Sequence, residues 1–178
     1  ASNLTAVKRA LADAKGYAPL DEAADEAAIT TALNALRSST GNLPVDQTAA
    51  NQYSATALKL LAALGADHAS IYKVDDALPT LIDALKDKRT DIATGAAGVL
   101  GELASIEGQK ALAAAALTPD VDSALKMPFL TALAESAKRT GNALDATAIN
   151  MLIKLVNTET DPAAKNAAAT ALGALNVP

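Results

Sequence analysis

The stretch that decides the reading is IATGAAGVLGELA at residues 92–104, which repeats as YSATALKLLAALG at 53–65 and AKNAAATALGALN at 164–176. The three align without gaps. Leucine recurs at the ninth and twelfth places: Leu61 and Leu64, Leu100 and Leu103, Leu172 and Leu175. A small residue follows the first leucine each time, as Ala62, Gly101 and Gly173. Apolar residues at three- and four-residue spacing line one face of a helix, so each copy reads as an amphipathic helix. The first two copies start 39 residues apart (92 − 53) and the next two 72 apart (164 − 92), which leaves room for one more unit.

That unit is DVDSALKMPFLTALAESAKR at 120–139, longer than the others and interrupted by Pro128. Proline removes a backbone donor and crowds the preceding turn, so a kink is expected there. An apolar helix precedes each copy, at Glu26–Ser38, Ala77–Lys86, Gly108–Leu117 and Thr147–Val156. Helical pairs recurring every 35–45 residues or so are the signature of stacked α-hairpins. The expected organisation is one domain over 1–178, with an N-terminal capping helix in 1–19 and hairpins at 20–66, 75–105, 106–140 and 143–176. Asp161-Pro162 predicts a helix start, a capping side chain before a proline at the first helical position. Thr118-Pro119 before Asp120 reads the same way. Asp75 and Asp76 place negative charge at another helix opening. Two loops stand out, 38–47 and 65–74.

Composition supports packed helices. Hydrophobic residues make up 51% of the 178, yet aromatics are 2% and Trp is absent. The core is therefore built from Ala, Leu, Val and Ile, and Ala has the highest intrinsic helix propensity. A chain of this length buries a core without staples. The net charge is −5, and the 15 basic residues are spread thinly. Only Lys86, Lys88 and Arg89 cluster, interrupted by Asp87, and Lys138–Arg139 is a pair. Gripping nucleic acid requires a concentrated positive surface, so that class is disfavoured. There is no cysteine, hence no disulfide, thiolate metal site or cysteine nucleophile. The longest apolar run, Ala111–Leu117, falls far short of the ~18 residues of a membrane span, so no membrane insertion is expected. The chain begins at Ala1 rather than Met, which favours a processed, exported protein, periplasmic or extracellular, over a cytoplasmic one.

These residues resemble the second helix of a bacterial HEAT-like repeat, whose pattern is roughly D-P-x-V-R-x-x-A-A-x-A-L-G-x-L. The match is DPAAKNAAATALGALN at 161–176, then TDIATGAAGVLGELA at 90–104 and, more loosely, 53–65. The likeness covers about 26–176, with the Pro128 unit degenerate. The arginine usual in the pattern is Lys165 in one copy and Ala93 in another, which weakens any Asp–Arg ladder between repeats. The resemblance implies an all-α fold, a right-handed superhelix of about four hairpins plus the cap. It also implies a protein-binding scaffold without a common active site.

Candidate chemistry is sparse. Gly95, Gly98 and Gly101 have the spacing of a phosphate loop, but that fingerprint requires a preceding strand; within a helix they signal close packing. His68, the sole histidine, lies beside Asp67 with Ser70 nearby, and adjacency along a loop does not supply catalytic geometry. One His and no Cys make a zinc site improbable. Asp21, Glu22, Asp25 and Glu26 lack calcium-loop spacing and suit a helix N-terminus; Asp120 and Asp122 read alike. Asn3-Leu4-Thr5 fits a glycosylation acceptor, a pattern common by chance. Tyr53 and Phe129 sit at core-like positions. No catalytic residue, cofactor or metal is expected.

The feature that points to function is the outward face of the second helices. Its positions are Lys59, Gly98 and Thr170 before the first leucine, and Ala63, Glu102 and Ala174 between the two leucines. Half are small and uncharged. With Lys165 and Asn166 they form the expected protein-binding surface. Self-association by end-to-end stacking is the alternative. A DNA-repair glycosylase on a HEAT-like frame is a remote one, since that role implies a basic, aromatic-lined groove and the chain has one Phe, three Tyr and no Trp.

Overall fold

The computed structural model describes residue 27, residues 55–62 and residues 77–177. Every regular element among them is a helix, and none of the described residues is in a strand. The protein is all-α. Residues 55–62 are helical, followed by α1 (Leu78–Ala84), α2 (Thr90–Glu102), α3 (Ile106–Ala116), α4 (Ser123–Thr140), α5 (Ala146–Thr158) and α6 (Pro162–Ala174). The chain divides into two compact units, Ala1–Gly95 and Ala96–Pro178. The expected cap in 1–19, the loops 38–47 and 65–74, Tyr53, Asp75 and Asp76 lie outside the described residues. So does most of the hairpin 20–66, apart from Ala27 and 55–62.

In the first unit, helical residues 55–62 bury Ala57, Leu58, Leu60 and Leu61, and α1 buries Thr80, Leu81 and Ala84. Gly95 seats against Leu58, whose Cδ1 lies 2.8 Å from where a Cβ on residue 95 would stand. Between α1 and α2, Asp87 accepts from the Arg89 backbone N–H at 2.9 Å, from Nε at 2.8 Å and from the terminal guanidinium at 2.6 Å. That fork folds the turn just ahead of Thr90. It also explains why the Lys86–Arg89 cluster is weakly basic: its arginine is matched by the intervening aspartate.

After the end of α2, the second unit is two helical hairpins. Helix α3 packs on α4 and α5 on α6, while the second helices α4 and α6 pack on each other. Each start has a side-chain cap, which satisfies backbone donors that a helix leaves orphaned. Ser105 accepts from Gly108 at the start of α3, and Asp145 from Ala148 at α5. Asp161 accepts from both Ala163 and Ala164, with Pro162 at the first helical position, as expected. The start read at Thr118-Pro119 is displaced: residues 119–120 are a turn, and α4 opens at Ser123 under Asp122, which accepts from Ala124. Thr118 instead closes the end of α3, donating its hydroxyl to Ala114 O at 2.9 Å. Pro128 lies at the sixth residue of α4, and the helix runs through it.

The connection between the hairpins turns on two residues. Gly141 has φ 71 and ψ −161, a conformation that side chains other than glycine's disfavour. Gln109 on α3 is fully buried. Its amide donates to Thr140 Oγ1 (2.7 Å) and Gly141 O (2.8 Å), and its Oε1 accepts from Ala143 N–H (2.7 Å). A buried amide is tolerated when its donors and acceptor are used, and here one side chain organises the whole turn.

The core is mostly aliphatic, as composition required, with Phe129 its one aromatic among the described residues. Phe129, Leu130 and Leu133 from α4, Leu112 from α3 and Leu152 from α5 are buried, and the buried residues within α6 are all alanines. Ser136 is a polar residue of this core. Its hydroxyl is buried without a hydrogen-bond partner.

Candidate functional site

The three aligned segments share a burial register. Their fifth residues (Ala57, Ala96, Ala168) and eighth residues (Leu60, Val99, Ala171) are fully buried. Their seventh residues, Lys59, Gly98 and Thr170, are all exposed. Between the leucines, Glu102 and Ala174 are half-buried, while Ala63 lies outside the described residues. Lys165 and Asn166 are exposed on α6. Five of the described surface positions, Lys59, Gly98, Lys165, Asn166 and Thr170, are thus exposed, though Lys59 belongs to the first unit and the rest to the second.

Glu102 is engaged: Arg139 of α4 donates its guanidinium to the Glu102 carboxylate. The Lys138–Arg139 pair is thus matched by acids on both counts, because Lys138 pairs with Glu135 at 2.6 Å. Sequence alignment missed the contribution of α4, whose degenerate unit resisted alignment. Its solvent stripe is Met127, Thr131 and Lys138, with Glu135 half-buried. Thr131 and Glu135 stand four apart, as do Gly98 and Glu102. A hydroxyl flanked by apolar residues at 129–130 and 132–134 was the available signal.

The flanks of the second helices differ. On α2, Ala97 and Gly101 are buried, and a Cβ on residue 101 would stand 2.9 Å from the Ala132 carbonyl oxygen. The matching residues of α6, Ala169 and Gly173, are exposed. Where α2 has α4 beside it, this side of α6 is uncovered.

A second surface lies on the first helices of the two hairpins. Between α3 and the start of α5 runs an open groove of about 620 Å³, floored by Ala113, Ala114, Leu117, Leu144, Ala148 and Met151, with Lys110 at its edge. A smaller hollow of about 240 Å³ continues it past Leu117 and Met151 to Lys154, Leu155 and Thr158. The sequence marks α5 as an apolar partner helix, yet within it only Leu152 is buried. Met151 is 42% exposed and Ile153 39%.

Electrostatics are local. The fork from Arg89 holds the Asp87 carboxyl below its ordinary value and raises the guanidinium in return. Lys126 donates to Glu159 at 2.8 Å and lowers its pKa, with help from the Asp161 backbone N–H. Among the described residues no three His, Asp or Glu side chains gather as a metal site. No helix among them is long and apolar enough to cross a membrane. Gly95, Gly98 and Gly101 lie inside α2 rather than in a phosphate loop, and Phe129 is in the core. His68, Asp67, Ser70, Asn3 and the acids at 21–26 lie outside the described residues. No protein-family model matches the chain, nor does any curated protein sequence.

Proposed function

We propose that the chain is a non-enzymatic protein-binding scaffold, a HEAT-like α-solenoid with a right-handed superhelical path that offers its second helices to another protein. One observation carries the reading: the same position, two residues after a buried alanine and one before a buried residue, is exposed in each aligned copy. A face that repeats from helix to helix provides a broad surface in place of one deep pocket. Short side chains there (Gly98, Thr131, Thr170, Ala174) let a partner approach closely at little cost in ordered rotamers. Affinity capture from the native host with the immobilised chain tests it. Gly98→Arg and Thr170→Arg should each lose the captured partner while helical content stays unchanged. Retention of the partner by both variants would count against this surface.

End-to-end self-assembly is the second reading, supported by the uncovered flank of α6 at Ala169 and Gly173 and by exposed Ile153. Sedimentation velocity separates the two. A scaffold alone sediments independently of concentration. A self-assembling chain sediments faster as concentration rises, and Ala169→Arg abolishes the rise.

A further inference from the structure

We infer that the groove between α3 and α5 is a docking site for a three-turn amphipathic helix of a partner protein, with acidic residues flanking its apolar face. The inference rests on the protein-binding reading but assigns a different surface, the first helices rather than the second.

Length comes first. The groove follows α5 from Thr147 to Thr158, eleven residue steps or about 16 Å at 1.5 Å each. That is three turns of a docked helix, the span over which anchors at i, i+3 or i+4 and i+7 engage an apolar trough. Shape comes second. The floor is low where Ala113, Ala114 and Ala148 face the groove, so it accepts bulky side chains from an occupant. A small ligand is normally enclosed over most of its surface, and this trough is open along its length. Met151 lines both hollows. The chain has only two methionines, and both stand among its exposed large apolar residues. The flexible thioether suits an adaptable contact surface.

Charge selects the occupant. In a chain of net charge −5, the groove is edged by Lys110 and Lys154, and among the described residues neither is in an ion pair. Lys126, also on the wall, is matched by Glu159. The one acid on the lining, Asp145, is occupied in capping Ala148. Two unmatched cations at opposite ends of an apolar floor complement a helix with carboxylates flanking its leucines.

The test uses the full chain and two synthetic helical peptides of about twelve residues, blocked at both ends and fluorescently labelled. Both carry leucine at every third or fourth position; glutamates flank the leucines in one and lysines in the other. Fluorescence anisotropy should show saturable binding of the glutamate peptide, about tenfold tighter than its twin, as two exposed charge contacts of this kind allow. Lys110→Glu/Lys154→Glu should reverse the preference. Met151→Asp should weaken both peptides about tenfold or more, and Thr170→Arg should change neither. Circular dichroism checks that each variant folds, which the exposure of all four positions favours. Absence of saturable binding, equal affinity for the twins, or indifference to Met151→Asp overturns the assignment. So does self-association that Met151→Asp removes, since it gives the groove to a second copy. A host partner lost with Thr170→Arg but kept with Met151→Asp leaves the scaffold reading standing and removes this one.

Discussion

At the scale of single residues, the glycines of α2 separate two uses of one side chain. Gly98 has nothing within 4 Å of an added Cβ, whereas Gly101 has the Ala132 carbonyl oxygen at 2.9 Å. The backbone cost of glycine in a helix is the same at both, about 1 kcal/mol against alanine. Gly98→Ala should therefore stabilise the protein by about 1 kcal/mol. Gly101→Ala has to push α2 off α4 and should destabilise it by about 1–3 kcal/mol. Urea denaturation of the two variants checks the pair, and an equal effect at both sites would refute the packing argument. Spacing alone reads both glycines as packing residues; Gly101 is one, whereas Gly98 is exposed and packs against nothing. The difference depends on which neighbour stands opposite, and that is a fact of tertiary structure.

At the scale of elements, what was legible is what local chemistry determines. The Asp161-Pro162 cap and the α2 and α6 registers follow from propensity, capping and helical period within one segment. The start of α4 did not, because two acids (Asp120 and Asp122) compete for the capping role, and Thr118 was read as an opening when it closes α3. Gln109 was also missed. Nothing in IEGQKALAAAA marks its glutamine as buried, since its partners Thr140, Gly141 and Ala143 lie 31–34 residues away. Gln109→Leu keeps the volume but strips Gly141 O and Ala143 N–H of their partner, and should cost about 2–3 kcal/mol. Thermal melts give the loss. Amide exchange should show Ala143 N–H, protected in the parent, exchanging faster in the variant.

At the scale of the whole molecule, acid sensitivity is set by carboxylates held in the ionised form. Asp87 and Glu159 both titrate below their ordinary values, 3.8 and 4.5, in the folded state. Depressed folded values mean stability that is complete above the unfolded pKa and lost as pH falls through the folded one. The folded chain should thus weaken with acidification below about pH 4.5. Asp87→Asn should be less stable than the parent near neutrality and lose less on acidification, so that the two urea midpoints converge. Parallel curves for parent and variant would refute the role of the Arg89 fork. The candidate surface was legible only in outline. Helical period told which residues of each second helix face outward, but the pairing of Glu102 with Arg139 and the groove beside α5 arise between helices.

The clasp at Gln109 has a consequence for how neighbouring hairpins are indexed. Inside α6 the buried contact residues are Ala164, Ala168 and Ala171, side chains with no rotamers and little relief. Smooth surfaces slide: shifting one against the other by a turn exchanges alanine for alanine and meets little resistance. The amide of Gln109, with three partners at the end of α4 and in the connection after it, acts as a locating pin that only one alignment satisfies. A stack built from alanine gains close approach and surrenders the interlocking that larger side chains provide, so its phase is written in polar atoms rather than in the core.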